Sequence, residues 1–110
     1  MRRRPGRGWA AGAALGSALA FGACSDQGTT TAAERGRQVY QAYCTSCHAG
    51  DPAQDGSVGP AVKGASADLL EARVVRGSYP PGYTPKRQSA VMQPLPSLGP
   101  SIGDLAAYLR

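Results

Sequence analysis

At 110 residues the chain has room for one small domain at most. Twelve Lys and Arg against seven Asp and Glu give a formal charge of +5. Four of those basic residues, Arg2, Arg3, Arg4 and Arg7, crowd the first seven positions, so the basic balance is a property of the N-terminus and does not argue for a nucleic-acid partner.

An apolar run from Trp9 to Ala23, rich in Ala, Gly and Leu, follows the four arginines. It is too short for a membrane span and reads as the apolar core of a signal peptide over residues 1–23. Phe21-Gly22-Ala23-Cys24 resembles a bacterial lipoprotein box, with Phe21 where Leu is common. Cys24 is then the lipid-bearing residue, and the mature chain begins there. Ordinary cleavage after Ala18-Leu19-Ala20 is the competing reading and leaves Cys24 as a lone thiol. Past Cys24, eight basic and seven acidic residues put the mature chain near +1. It retains five tyrosines and no Trp or Phe. Removing 23 residues leaves 87, near the size at which a hydrophobic core becomes marginal.

Ser25 to Thr31 is a polar tether with a reach of roughly 15 Å as a flexible coil. With Cys24 it makes an N-terminal segment over 24–32, ahead of a domain over 33–110. Thr31-Ala32-Ala33-Glu34 has the form of a capping box and predicts a helix start. Gly36, Val39, Tyr40, Tyr43 and Cys47 recur at helical spacing, predicting one buried face that runs into Cys44-Thr45-Ser46-Cys47-His48.

That pentapeptide has the order and spacing of a c-type haem attachment site. Two thiols three residues apart on a helical turn can form thioethers with two vinyl groups on one porphyrin edge. The adjoining imidazole is left to bind iron. Two other readings are weaker. A redox dithiol lacks the alternating strands and helices of a thioredoxin-like unit. A structural zinc site needs a fourth ligand, from Cys24 or a carboxylate, and adjacent Cys47 and His48 suit a tetrahedron poorly.

Residues 49–57 read as a loop, and Val58 to Gly64 as a short apolar patch broken by turn residues. Ser66 caps a predicted second helix through Arg76, with Leu70 and Val74 on its inner edge and Gly77 ending it. Ser78 to Pro96 is proline-rich and aperiodic, a length that in a small domain usually serves function. Gly99 and Pro100 are expected to open the last helix, with proline at its first position, and Ile102, Leu105, Ala106 and Leu109 form its apolar stripe. No repeat and no strand of useful length is visible.

His48 is the only histidine, and Met92 the only methionine beyond Met1. A thioether is a soft ligand that favours ferrous iron, and Met92 sits in an extended loop that can lay its side chain over a haem face. Core filling is the plainer role for a methionine. Lys63, Lys86 or an open site are the remaining options for the sixth position.

Gly36 and Tyr40, Cys44 to His48, Gly59-Pro60, Met92 near a proline, and Leu105 to Leu109 together resemble the small class I cytochromes c of bacteria, over about residues 33–110. The resemblance implies an all-α cytochrome c fold of three or more helices wrapped around one covalently bound haem c. It implies that the first and last helices cross at Gly36, with Tyr40 and Tyr108 beside the crossing. It also implies that the Pro60 carbonyl holds the proximal His48 and that His48 and Met92 are the axial ligands. Gln93 departs from the family, which often has proline directly after the methionine. Tyr79 and Tyr83 are candidates to contact the haem propionates, and Arg76, Lys86 and Arg87 to neutralise them.

The expected function is one-electron transfer without catalysis on the periplasmic side of a bacterial membrane. The partners are redox proteins, and a lipid anchor at Cys24 holds the carrier near the membrane. A dedicated haem subunit of a periplasmic dehydrogenase or sulfur-oxidising complex is the alternative, and a haem sensor or peroxidase with an open sixth site a third.

Overall fold

The computed structural model describes residues 29–110, with Gly12 alone before them; the expected signal segment over 1–23 and Cys24 lie, Gly12 apart, outside the described residues. Thr31 sits in extended backbone and opens α1, Ala32–Tyr43, its hydroxyl accepting the Glu34 N–H at 3.1 Å. Only this half of the capping box closes. The Glu34 carboxylate takes both prongs of the Arg37 guanidinium instead of reaching back, and these hydrogen bonds, with the Arg37 charge, hold it below the usual carboxylate range.

The helix ends one residue before the first cysteine. Its inner stripe runs Gly36, Tyr40 and then Cys44, which packs on the core. Tyr43, expected on that face, is 55% exposed. The reason is angular: a 3.6-residue period carries the buried line through every fourth residue here, and Tyr43 falls off it.

Ser66 caps the second helix as expected, accepting the Leu69 N–H at 3.1 Å. The element is not uniform, however. α2 covers only Ala67–Leu70 and widens into a π turn over Glu71–Val75. Leu70, Ala72 and Val74 are all buried. Gly77 then leaves the helix at φ +68°, a conformation open to glycine and costly for other residues.

Residues 78–95 form neither helix nor strand, and the Leu95 N–H anchors the end of the segment on the Val74 carbonyl at 2.6 Å. A 3₁₀ turn over Pro96–Ser101 follows, with α3 over Ile102–Leu109. This corrects the expected helix start. Pro96 occupies the first turn of the 3₁₀ segment and Pro100 lies inside it. Proline disfavours α geometry at the residue before it and donates no N–H, so the tight turn persists until Ser101.

α1 crosses α3 at Gly36. A Cβ there would run into the Asp104 carbonyl and stand 2.9 Å from the Tyr108 Cβ. The Tyr40 and Tyr108 rings meet beside the crossing at 5.5 Å. Arg35 closes it from outside with two bonds to the Asp104 carboxylate, at 2.8 and 2.9 Å, which depress the Asp104 pKa. The core is Tyr40, Leu70, Val74, Leu98, Ile102, Leu105, Ala106 and Leu109. All three helices contribute, and the described residues contain no strand. The all-α expectation holds. No helix among them is long and apolar enough to cross a membrane.

Candidate functional site

The chain leaves α1 through two tight bonds. The Cys44 N–H donates to the Tyr40 carbonyl and the His48 N–H to the Cys44 carbonyl, each at 2.9 Å. This turn sets Cys44, Cys47 and His48 on the wall of one cavity, about 340 Å³ in volume. Leu70, Val74, Leu105 and Leu109 serve both the core and this cavity. Met92, partly buried, lines the cavity and packs on the core.

The loop after the motif returns to hold His48. The Cys47 carbonyl accepts from the N–H groups of Val58 and Gly59, at 3.2 and 2.9 Å, which lays Gly59-Pro60 against the imidazole. His48 Nδ1 is 2.8 Å from the Pro60 carbonyl. A carbonyl can only accept, so the proton sits on Nδ1 and Nε2 carries the free lone pair. Gly59 also lies against the ring: a Cβ there would be 2.6 Å from Nδ1 and 2.9 Å from Nε2. Only a residue without a side chain fits.

The segment bearing Pro60 is fixed in turn. Asp55 accepts the Ala61 N–H at 2.8 Å, and Lys86 Nζ donates to the Ala61 carbonyl at 2.8 Å. Arg87 pairs with Asp55 at 3.4 Å. The Ala61 N–H bond, with Arg87 and Lys86 nearby, lowers the Asp55 pKa. On the α1 side, the Tyr40 hydroxyl donates to the Ala49 carbonyl at 2.6 Å, and burial pushes its pKa up to about 12.

Burial also pushes the Cys44 thiol up to about 11. Redox-active Cys-x-x-Cys pairs work through thiolates of depressed pKa, so this microenvironment disfavours the dithiol reading. Nor does any group of three or more His, Cys, Asp or Glu stand together to hold a metal ion among the described residues. That removes the zinc reading as far as those residues go.

The remaining candidates separate. Tyr79 and Tyr83 line the cavity and stack on each other, with centroids 5.4 Å apart. Lys86 and Arg87 line it too. Arg76 does not: it pairs with Glu71 at 3.2 Å, away from the cavity. Arg73, one turn earlier, lines it instead. Lys63 is also at the wall, with Nζ 3.0 Å from the Arg110 carbonyl.

An apolar cavity beside two thiols and an imidazole whose Nδ1 is taken by a carbonyl fits a porphyrin by donor chemistry. Among the described residues, four basic side chains and no carboxylate line it, which suits a group that carries two acids. Cys44 and Cys47 would hold the macrocycle, and His48, Met92, Lys63 and Lys86 stand at the same wall as candidate ligands to its iron.

A helical domain of this size built around such a site is a c-type cytochrome domain, an electron-transfer protein that binds haem c covalently. Residues 31–109 match the family model described as cytochrome c oxidase, cbb3-type, subunit III, and the chain belongs to that family. No curated protein matches the chain closely enough to count as a relative.

Proposed function

We propose that this protein is an exported one-electron carrier with a single haem c, anchored by a lipid on Cys24 to the periplasmic side of a bacterial membrane, over a domain spanning 33–110. Cys44 and Cys47 form the thioethers. His48 and Met92 ligate the iron. Bound haem supplies a reversible ferric–ferrous couple. The protein's residues hold that couple in place: the Pro60 carbonyl keeps the His48 proton on Nδ1 and makes Nε2 the ligand, while the apolar wall excludes water and keeps reorganisation small.

The observation that carries this reading is the shared cavity of Cys44, Cys47, His48 and Met92. A second reading makes the protein the dedicated haem subunit of a larger redox enzyme; the description of its family as an oxidase subunit favours it. A subunit of a periplasmic dehydrogenase or of a sulfur-oxidising complex belongs to the same class. Stable copurification with a partner supports the subunit, and fast salt-dependent exchange among several partners supports the free carrier.

The test is spectroscopy and intact mass of the protein made in a bacterium that matures c-type cytochromes. Intact mass should show one haem and, on membrane-extracted protein, acyl chains that a Cys24→Ser variant lacks. Met92→Ala should lose the sulfur-to-iron charge-transfer band of the ferric protein and lower the potential by on the order of 100 mV. An unchanged spectrum in Met92→Ala defeats the ligand assignment.

A further inference from the structure

Arg73 stands in the middle of the π turn Glu71–Val75. Such turns are frequently found at functional sites. Arg35, Arg37, Arg76 and Arg87 each pair with a carboxylate. Arg73 pairs with none among the described residues. Its Nη2 donates to the backbone carbonyl of Met92 at 3.1 Å. Its guanidinium carbon lies 5.0 Å from the centroid of the Tyr79 ring, and Tyr79 stacks on Tyr83 with only 10° between the planes.

A guanidinium suits these two contacts together: its flat face stacks on an aromatic ring while its edge donates hydrogen bonds. The Leu95–Val74 bond ties down the far end of the same segment. The irregular chain between Tyr79 and Leu95 is therefore fastened to the π turn at three places, and the middle fastening is on Met92 itself.

We propose that Arg73, supported by the Tyr79–Tyr83 stack, is a positioning residue for Met92: it fixes the backbone that presents the thioether to the cavity. This rests on the Met92 ligation proposed above. Arg73 acts on the ligand through its backbone and not as a ligand. The competing role is counter-charge to the carboxylates of the bound haem, which the same place at the cavity wall would allow.

The test is an imidazole titration of the ferric, haem-loaded full chain. Added imidazole must displace the sulfur ligand, so its apparent affinity reports how firmly that ligand is held. Arg73→Gln is expected to raise this affinity about tenfold, the size of one lost charge-assisted hydrogen bond. Tyr79→Leu leaves every charge in place and is expected to raise it roughly threefold. Tyr79→Phe keeps the ring and should behave as wild type. Far-UV circular dichroism confirms that each variant is folded.

Wild-type imidazole affinity in Tyr79→Leu, with a lowered reduction potential in Arg73→Gln, makes Arg73 a counter-charge and overturns the proposal. Wild-type affinity in both variants overturns it as well, while loss of the charge-transfer band in Met92→Ala leaves the ligand assignment standing. An unchanged Met92→Ala spectrum removes both together.

Discussion

Single atoms decide the surroundings of His48. One carbonyl sets its tautomer, and one missing methyl, at Gly59, makes room for its ring. The resemblance to small cytochromes pointed to Pro60. Gly59 was visible only as part of a pair, because the need for glycine comes from a ring twelve positions from Pro60 in the chain and packed against the loop. Tyr40 shows the same dependence. Its place beside Tyr108 followed from the resemblance, but its bond to the Ala49 carbonyl did not, since no spacing rule links a helix tyrosine to a loop carbonyl. The burial of its hydroxyl has a pH consequence. The folded pKa of about 12 lies above the ordinary tyrosine value, so the contribution is complete below about pH 10 and declines as pH rises from there through the folded value. Chemical denaturation across pH 8 to 12 should show this decline, and Tyr40→Phe should flatten it while costing about 1 kcal/mol at neutral pH.

Among the elements, the starts were easier to read than the interiors. Thr31 and Ser66 cap their helices because a hydroxyl in extended backbone can reach the free N–H groups of the first turn, a local relation. The π turn and the 3₁₀ turn were not foreseen. Glu71–Val75 contains no proline or glycine, so nothing local signals the widening. Pro100 alone is compatible with the start of an α-helix or with a 3₁₀ turn; Pro96 and Pro100 together hold the tight turn. The α1–α3 crossing is the junction on which the elements depend. Gly36→Ala would push a methyl into the Asp104 carbonyl and towards Tyr108, and the helices would have to separate. We expect a loss of about 3 kcal/mol by urea denaturation of the haem-loaded protein, at the upper end of the range for overpacking.

For the whole molecule, the cavity and the core are one structure. Leu70, Val74, Leu105 and Leu109 belong to both, so the interior is complete only when the cavity is filled. Val58 and Val91, 50% and 62% exposed, stand at its wall. A Cys44→Ser/Cys47→Ser variant, unable to attach haem, should therefore lose much of its helical circular dichroism and melt without a sharp transition. Wild-type helicity and a cooperative melt in that variant would show that the polypeptide core suffices alone.

The sequence by itself determined the attachment motif, the single histidine, the scarcity of candidates for a second ligand, the caps and the apolar stripe of α3. Each of these is carried by residue identity or by spacing within a turn or two. Only the tertiary structure decided that Tyr43 faces solvent, that Arg73 and not Arg76 reaches the cavity, and that Gly59 must be glycine. Those facts depend on side chains brought together from distant parts of the chain, where the shape of the neighbour and not the local pattern sets what fits.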